Sequence, residues 1–198
     1  GAYQQRIAEG LEMVHGGIEF VHVASYHDAP GYVEALARRV RDGIAIWPDQ
    51  DRDRVHTVFS AHSLPSRIIA AGDVYDAQCR DTARRVAASA GLPDDRWSWS
   101  YQSAGRSPEP WLGPTLEDHL GTLAVDGVGH VLSVPVGFVA DHVEVLYDID
   151  IKAREHARTL GVRLERAPML NDDPVFIDAL AETVEAHAAA WLRGSVGA

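Results

Sequence analysis

The stretch VHTVFSAHSLP, residues 55–65, decides the fold and raises the question of function. Its first seven residues are rich in β-branched and aromatic side chains, which predicts a buried strand. That strand would deliver His62, followed by a serine and a proline, at its carboxyl end. One interpretation is a strand that runs into a turn, with His62 exposed to solvent. The other is that His62 stands at the mouth of a crevice.

Outward from this stretch, the apolar periodicity alternates between that of helices and that of strands. Strands are predicted at 18–24, 55–61, 96–103, 130–138 and 162–168. Helices are predicted at 2–14, 30–43, 74–90, 114–126, 141–160 and 173–193. This alternation predicts an α/β fold in which helices flank both faces of a mostly parallel, Rossmann-like sheet.

Ligands of such folds bind outside the carboxyl ends of the strands. Three segments follow strand ends: SAHSLP, QSAGRSPEPWLGP and PVGFVADHVE. We therefore expect His62, Trp111 and Glu144 to share one rim. Trp111 lies between two prolines that stiffen its loop, which suits a flat ligand. The alternative is that Trp111 packs on the core.

The segment DHVEVLYDIDIK, residues 141–152, predicts a helix with Asp141 as its N-cap. Glu144, Asp148 and Lys152 are four residues apart, so they share one face of that helix. The helix dipole alone would explain Glu144. If Glu144 faces His62, however, the pair suits binding of Fe²⁺ or transfer of protons near neutral pH. Two protein ligands leave metal positions open, as a transfer site requires.

The composition excludes several classes of protein. The 198 residues carry a net charge of −11, which argues against nucleic acid as a partner. The single cysteine, Cys79, excludes a disulfide framework and a cysteine-only iron–sulfur cluster within the chain. There is no GxGxxG fingerprint, so we expect no nucleotide cofactor. We also expect no signal peptide, no transmembrane segment and a cytoplasmic location.

The three strand-end segments together resemble ferrochelatase, the enzyme family that inserts ferrous iron into a porphyrin. FSAHSLP, QSAGRSPEPWLGP and VPVGFVADHVEVLYDID occur in the family's order, and APMLNDDPVFIDALAETV resembles its closing segment. The sequences SPEPWLGP and GFVADHVEVLYD are most similar to the corresponding motifs of the bacterial coproporphyrin III branch.

The resemblance implies roles for individual residues, with Fe²⁺ as a substrate. It assigns iron binding and pyrrole deprotonation to His62 and Glu144. It implies porphyrin contacts for Tyr3, Ser60, Ser63, Gln102 and Trp111. His142, two residues from Glu144, is a candidate assisting group. Asp148 would continue an outer metal path, but Lys152 stands where the family often has a third carboxylate, and its charge repels a cation.

The family builds its cleft between two α/β halves, and the resemblance assigns residues 1–198 to about the C-terminal two-thirds of such an enzyme. We therefore expect a chelatase-like lobe without the N-terminal portion, with the helix at 173–193 packing on that other lobe. A homo-oligomer is another way to complete the cleft. Two alternatives stay open: a non-catalytic remnant that binds porphyrin, haem or metal, and a compact chelatase of the cobalt or sirohydrochlorin type. The second fits the length better and the motifs worse.

Overall fold

The computed structural model describes residues 2–13, 20–105 and 107–195, with the side chains at 2–3, 190–191 and 193–195 also outside the description. The chain divides into two compact units. One consists of Gly1–Ala24 with Glu182–Ala198, and the other is Ser25–Ala181. The larger unit carries the sheet and every strand-end residue discussed above.

Four parallel strands form the sheet of the larger unit, and this confirms the predicted α/β class. They are β1 (Val55–His62), β2 (Trp97–Gln102), β3 (His130–Pro135) and β4 (Arg163–Arg166). Their order across the sheet is β2-β1-β3-β4, so β1 and β3 are central. In register, His62 pairs with Gln102, and Ser60 pairs with Ser100 on one side and Pro135 on the other.

The predicted helices are present, together with two short ones. They are α1 (Ala2–Met13), α2 (Pro30–Ala45), α3 (Asp49–Arg52), α4 (Ser66–Ala70), α5 (Tyr75–Ala90), α6 (Leu116–Val125), α7 (Val143–Val145), α8 (Arg154–Thr159) and α9 (Pro174–Ser195). A π-helical segment, Leu146–Ala153, joins α7 to α8. The helix predicted at 141–160 is therefore real but not uniformly α-helical.

The two faces of the sheet are covered by different helices, because alternate residues of each strand point to opposite sides. On one face, Phe59 and Val134 pack with buried residues of α2 and α5. On the other face, Val58 packs with Leu120 of α6 and Ile149 of the π-helical segment. These layers fix the position of the π-helical segment against the carboxyl end of β1.

Two sequence predictions are wrong. Residues 20–24 are not in a strand, and the large side chains of Phe20 and Val21 are exposed, so the alternating pattern there does not mark a buried sheet face. Asp141 does not cap the following helix: the N-cap position is His142, and no side chain caps it. The carboxylate of Asp141 instead accepts a hydrogen bond from Asn171 Nδ2 and pairs with Arg166.

Of the helices that the structure describes, none combines the length and the apolar character needed to cross a membrane.

Candidate active site

The strand order itself locates a crevice. The chain leaves β1 toward β2 on one side and then crosses back to β3 on the other side, so the direction of the connections reverses between β1 and β3. Open α/β sheets bind ligands at this reversal, outside the carboxyl ends of the strands. His62 is the last residue of β1, and Glu144 lies in α7, shortly after β3.

His62 and Glu144 are in direct contact. His62 Nε2 lies 3.1 Å from Glu144 Oε1, and His62 Nδ1–H donates to the Ser63 carbonyl oxygen at 2.5 Å. Since a carbonyl oxygen only accepts, Nδ1 carries its hydrogen, and Nε2 is the ring nitrogen that faces the carboxylate. Nε2 and Oε1 are both ligand atoms for a divalent cation.

The backbone at His62 is held by close packing. Tyr75 donates its phenolic hydrogen to the His62 carbonyl oxygen at 3.2 Å. A Cβ atom at Gly137 would lie 2.8 Å from the Cβ of Ala61, so only glycine lets the loop after β3 approach β1 this closely. The ring of Phe138 meets the His62 ring edge to face, with centroids 6.2 Å apart. The imidazole therefore has a fixed place at the strand end.

Glu144, Asp148 and Lys152 line a common cavity of about 500 Å³, so the predicted shared face is confirmed. Gln102 and Ser103 line its opposite side. Ser103 Oγ donates to Asp148 Oδ2, which ties the π-helical segment to the loop after β2. π-Helical turns are found frequently at functional sites. The sequence pattern did not reveal this winding, since α and π turns place similar side chains inward.

The charge of Lys152 has a partner that sequence reasoning missed. Its Nζ lies 2.6 Å from Glu117 Oε1, and Glu117 lines the same cavity. The hydrogen bond that Lys152 donates to Glu117 raises the pKa of Lys152, and the negative charge of Asp148 adds to the effect. Lys152 is therefore a cation within the cavity, and one carboxylate neutralises it. Only the tertiary structure brings Glu117 to this position, because α6 and the π-helical segment are far apart in sequence.

The predicted porphyrin-contact residues occupy different positions. Gln102 lines the cavity and is only 3% exposed, and its side-chain oxygen and nitrogen have no hydrogen-bond partner. Ser60 and Ser63 are buried, and Ser63 Oγ donates to the Leu112 carbonyl oxygen. Neither serine lines the cavity. The side chain of Tyr3 lies outside the described part of the structure.

Trp111 lies in the loop between β2 and α6, against the segment that follows His62. It forms a β-bridge with Pro65, and its indole N–H donates to Ser107 Oγ at 3.2 Å. A Cβ atom at Gly105 would lie 2.5 Å from the indole ring, so the ring uses the space that glycine leaves. Trp111 is half-buried and outside the lining of the cavity, beside the loop that carries His62.

His142 packs its ring against Phe138, with centroids 4.3 Å apart, and its buried Nε2 has no hydrogen-bond partner. Within the described residues, no group of three or more histidine, cysteine, aspartate or glutamate side chains is arranged to hold a metal ion. His62 and Glu144 thus offer two side chains of ligand type, which is fewer than a closed protein metal site uses.

A protein-family model described as Ferrochelatase matches residues 1–188. The chain is 57% identical to a ferrochelatase of Deinococcus radiodurans, over 94% of this chain and 59% of that protein. It is 44% identical to a coproporphyrin III ferrochelatase of Geobacillus kaustophilus, over 92% of this chain and 57% of that protein. A solved CbiX protein of cobalamin biosynthesis from Marinobacter aquaeolei is similar over 69% of this chain and 98% of its own, at 17% identity and a TM-score of 0.46.

The chain spans about three fifths of the length of the two ferrochelatase relatives. Over that length, the family model covers nearly every residue, including both side chains of the His62–Glu144 pair. The chain therefore belongs to the ferrochelatase family.

Proposed function

We propose that this chain inserts ferrous iron into a porphyrin, as a step of haem synthesis. The observation that carries the proposal is the contact between His62 Nε2 and Glu144 Oε1 at the carboxyl ends of β1 and β3. Family membership supports it, since relatives named ferrochelatase share most of this chain. The names of relatives that act on coproporphyrin III favour that porphyrin over protoporphyrin IX.

The pair offers what metal insertion needs from a protein. The porphyrin must lose two N–H protons, and the iron must exchange its water ligands for four ring nitrogens. An imidazole nitrogen and a carboxylate oxygen can hold Fe²⁺ weakly while other positions stay open. The same two atoms, an imidazole nitrogen and a carboxylate oxygen, are the types of base that can accept protons from the pyrrole nitrogens. The side chains are 28% and 47% exposed, which leaves the pair accessible to a substrate.

Apolar surface beside the pair suits a flat macrocycle. Val143 and Tyr147 flank Glu144, are exposed, and line the cavity. Trp111 adds an aromatic ring beside the loop of His62. We propose these three side chains as porphyrin contacts, together with Gln102 as a hydrogen-bond donor or acceptor. Ser60 and Ser63 would act only through the backbone and side chains that they support, since both are buried.

Asp148 would pass the cation toward Glu144 along the π-helical segment. Its carboxylate lines the same cavity and is held by Ser103. Lys152 opposes a second bound cation there, and its pairing with Glu117 reduces that opposition. We therefore propose a transient path at Asp148 rather than a stable outer metal site. His142 would support the pair through its contact with Phe138.

The test is anaerobic insertion of Fe²⁺ into coproporphyrin III by the 198-residue chain, followed by absorbance, with protoporphyrin IX alongside. We expect His62→Ala and Glu144→Gln each to lower kcat by about 10²- to 10⁴-fold, the usual contribution of a group that transfers protons. His156→Ala is the matched control, since this histidine of α8 lies outside the cavity. It should leave kcat unchanged.

Other outcomes would favour the alternatives. Porphyrin binding without turnover, and unaffected by His62→Ala, indicates a non-catalytic porphyrin-binding protein. Insertion of cobalt into a sirohydrochlorin-type tetrapyrrole, in the absence of iron insertion, indicates a chelatase of the compact type. If the His156→Ala control also loses turnover, the effect of His62→Ala is not specific, and the reaction cannot be assigned to His62.

A further inference from the structure

A row of buried polar side chains runs along one face of the sheet, beginning at the candidate active site. On β2, Ser98, Ser100 and Gln102 are alternate residues, so they point to the same side. On β1, Ser60 pairs in register with Ser100, and His62 pairs with Gln102. The row therefore begins next to the imidazole that contacts Glu144 and continues toward the amino end of the sheet.

Most of this row is not hydrogen-bonded. Ser60, Ser100 and Ser133 are fully buried, and their hydroxyl oxygens have no partner in the described structure. Gln102, 97% buried, has two unpartnered atoms and also lines the cavity with Glu144. Buried polar groups of folded proteins are nearly always hydrogen-bonded, to the protein or to water. Several unpartnered groups side by side thus require a common partner.

The far end of the row is a hydrogen-bonded relay. Ser98 Oγ lies 2.8 Å from His56 Nε2 and 2.7 Å from His119 Nε2. His56 is buried, whereas His119, in α6, is half-buried and so reaches toward solvent. One end of the row thus lies beside His62, and the other lies beside the half-buried His119, on the face of the sheet that packs against α6.

The cross-strand spacing fits water. Paired residues of neighbouring strands lie about 4.8 Å apart, and one water that makes two hydrogen bonds of about 2.8 Å each spans up to about 5.6 Å. A buried water needs two to four polar partners. Ser60 and Ser100 are paired across neighbouring strands, and Gln102 is the next residue of β2 on the same face, so three unpartnered polar side chains are adjacent there. Apolar side chains at these positions would offer a water no hydrogen-bond partners.

We propose that Ser60, Ser100 and Gln102 hold buried water, and that this water continues as a hydrogen-bonded chain to Ser98 and His119. Such a chain conducts protons: each water accepts a proton from one neighbour and releases another to the next, so no charge accumulates along it. The use of this chain as an outlet for the two pyrrole protons rests on the function proposed above. The water chain itself does not depend on that function.

Equilibrium unfolding of the full chain tests whether these side chains bind buried water. Ser100→Ala and Ser60→Ala should each raise the unfolding equilibrium constant about fivefold, because each removes a hydrogen bond to buried water. Their effects should be less than additive, since both bind the same water. Thr57→Val is the matched control: this hydroxyl of β1 is also buried and unpartnered, but it lies on the opposite face of the strand. It should leave stability unchanged or raise it.

A direct measurement accompanies the unfolding series. Magnetisation transfer from water to protein protons, measured by NMR, should show long-lived contacts at residues 60 and 100 and none at Thr57. Ser100→Ala should abolish the contact at residue 60. If both alanine variants are stabilised as Thr57→Val is, or if no water contact appears at residues 60 and 100, the row is dry and the proposal is wrong.

The role of the water chain in proton release is tested separately, in the metallation assay. Ser100→Ala should lower kcat and leave KM for the porphyrin unchanged, because the variant alters proton departure and not porphyrin contact. If a variant loses the water contact and keeps its kcat, the water chain does not carry the pyrrole protons, although its existence would not be contradicted. If the chain metallates no porphyrin, the proposed function is wrong, and so is the use of the water chain as a proton outlet. The unfolding and NMR results would still decide whether water is bound.

Discussion

At the scale of single residues, the two histidines at the ends of the sheet face have opposite environments. His62 is accessible, and its Nε2 contacts a carboxylate. His56 is buried, and burial, with smaller effects from His119 and Arg96, lowers its pKa to about 4, against a weak opposing effect of Asp95. The first arrangement suits proton exchange with a ligand. The second keeps an imidazole neutral inside the fold.

The stability of the chain should therefore decrease as the pH falls from about 6.5 to about 4. In this window the unfolded chain protonates His56, whose ordinary pKa is about 6.5, whereas the folded chain keeps it neutral. The unfolded state binds the additional proton, so the free energy of unfolding rises with pH across the window. Burial also lowers the pKa of His119, which adds to the effect in the same direction.

Denaturant unfolding at several pH values measures this contribution. His56→Gln should remove on the order of 2 kcal/mol of the difference in stability between pH 6.5 and pH 4. Subtracting the two curves cancels the carboxylates, which titrate in both proteins. Parallel curves for the two proteins would show that His56 does not carry the pH dependence.

At the scale of elements, one arginine ties the site helix to the sheet. Arg166, at the end of β4, makes two hydrogen bonds of 2.9 Å to Asp150 in the π-helical segment and pairs with Asp141 at 3.1 Å. Asp141 precedes α7, and its backbone N–H donates to Asn171. The guanidinium thus fixes both the entry and the middle of the segment that carries Glu144. Its position there is set by β4 and not by the helix itself.

Arg166→Met should lower the free energy of unfolding by about 2–3 kcal/mol, because it leaves two partly buried carboxylates without their cation. The Arg166 side chain is only 11% exposed. Arg84→Met is the matched control: its side chain is 64% exposed and pairs with Asp81, and such pairs contribute less than about 1 kcal/mol. Chemical denaturation compares the two. If both variants lose the same free energy of unfolding, Arg166 does not hold the π-helical segment to the sheet.

Periodicity predicted the elements of this fold because burial on one or both faces leaves a pattern in the sequence. It failed at residues 20–24, where the alternation of apolar residues has no buried face behind it. The strand-end rule predicted that His62, Trp111 and Glu144 would share one rim, and the direct contact between His62 and Glu144 is what the structure adds. Glu117 and Ser103 escaped prediction, since their roles depend on how α6 and the loop after β2 pack against the π-helical segment.

At the scale of the whole molecule, the unit Ser25–Ala181 contains the four strands and both buried clusters. A fragment of these residues should therefore unfold cooperatively by itself. We expect a single thermal transition, within about 8 °C of that of the full chain, a shift equivalent to roughly 1–2 kcal/mol. Circular dichroism and calorimetry measure it. A broad transition with lost tertiary signal would show that the remaining residues are needed to complete the core.

The π-helical winding of Leu146–Ala153 means that the angular phase of Glu144 is not fixed by residue count alone. Ala153 and Ala157 are anchored in the core behind it, whereas the wider turns take up chain length in front. Deleting one residue within this segment could be absorbed by rewinding it as α-helix, without disturbing the anchored end. The residues ahead of the deletion, including the buried Val145, would then keep their angular position, because the α-helical turns need the one residue fewer. A single-residue deletion within Leu146–Ala153 should thus preserve the contact between His62 and Glu144, whereas the same deletion within α8 has no wide turns to absorb it and would rotate everything ahead of it by about 100°.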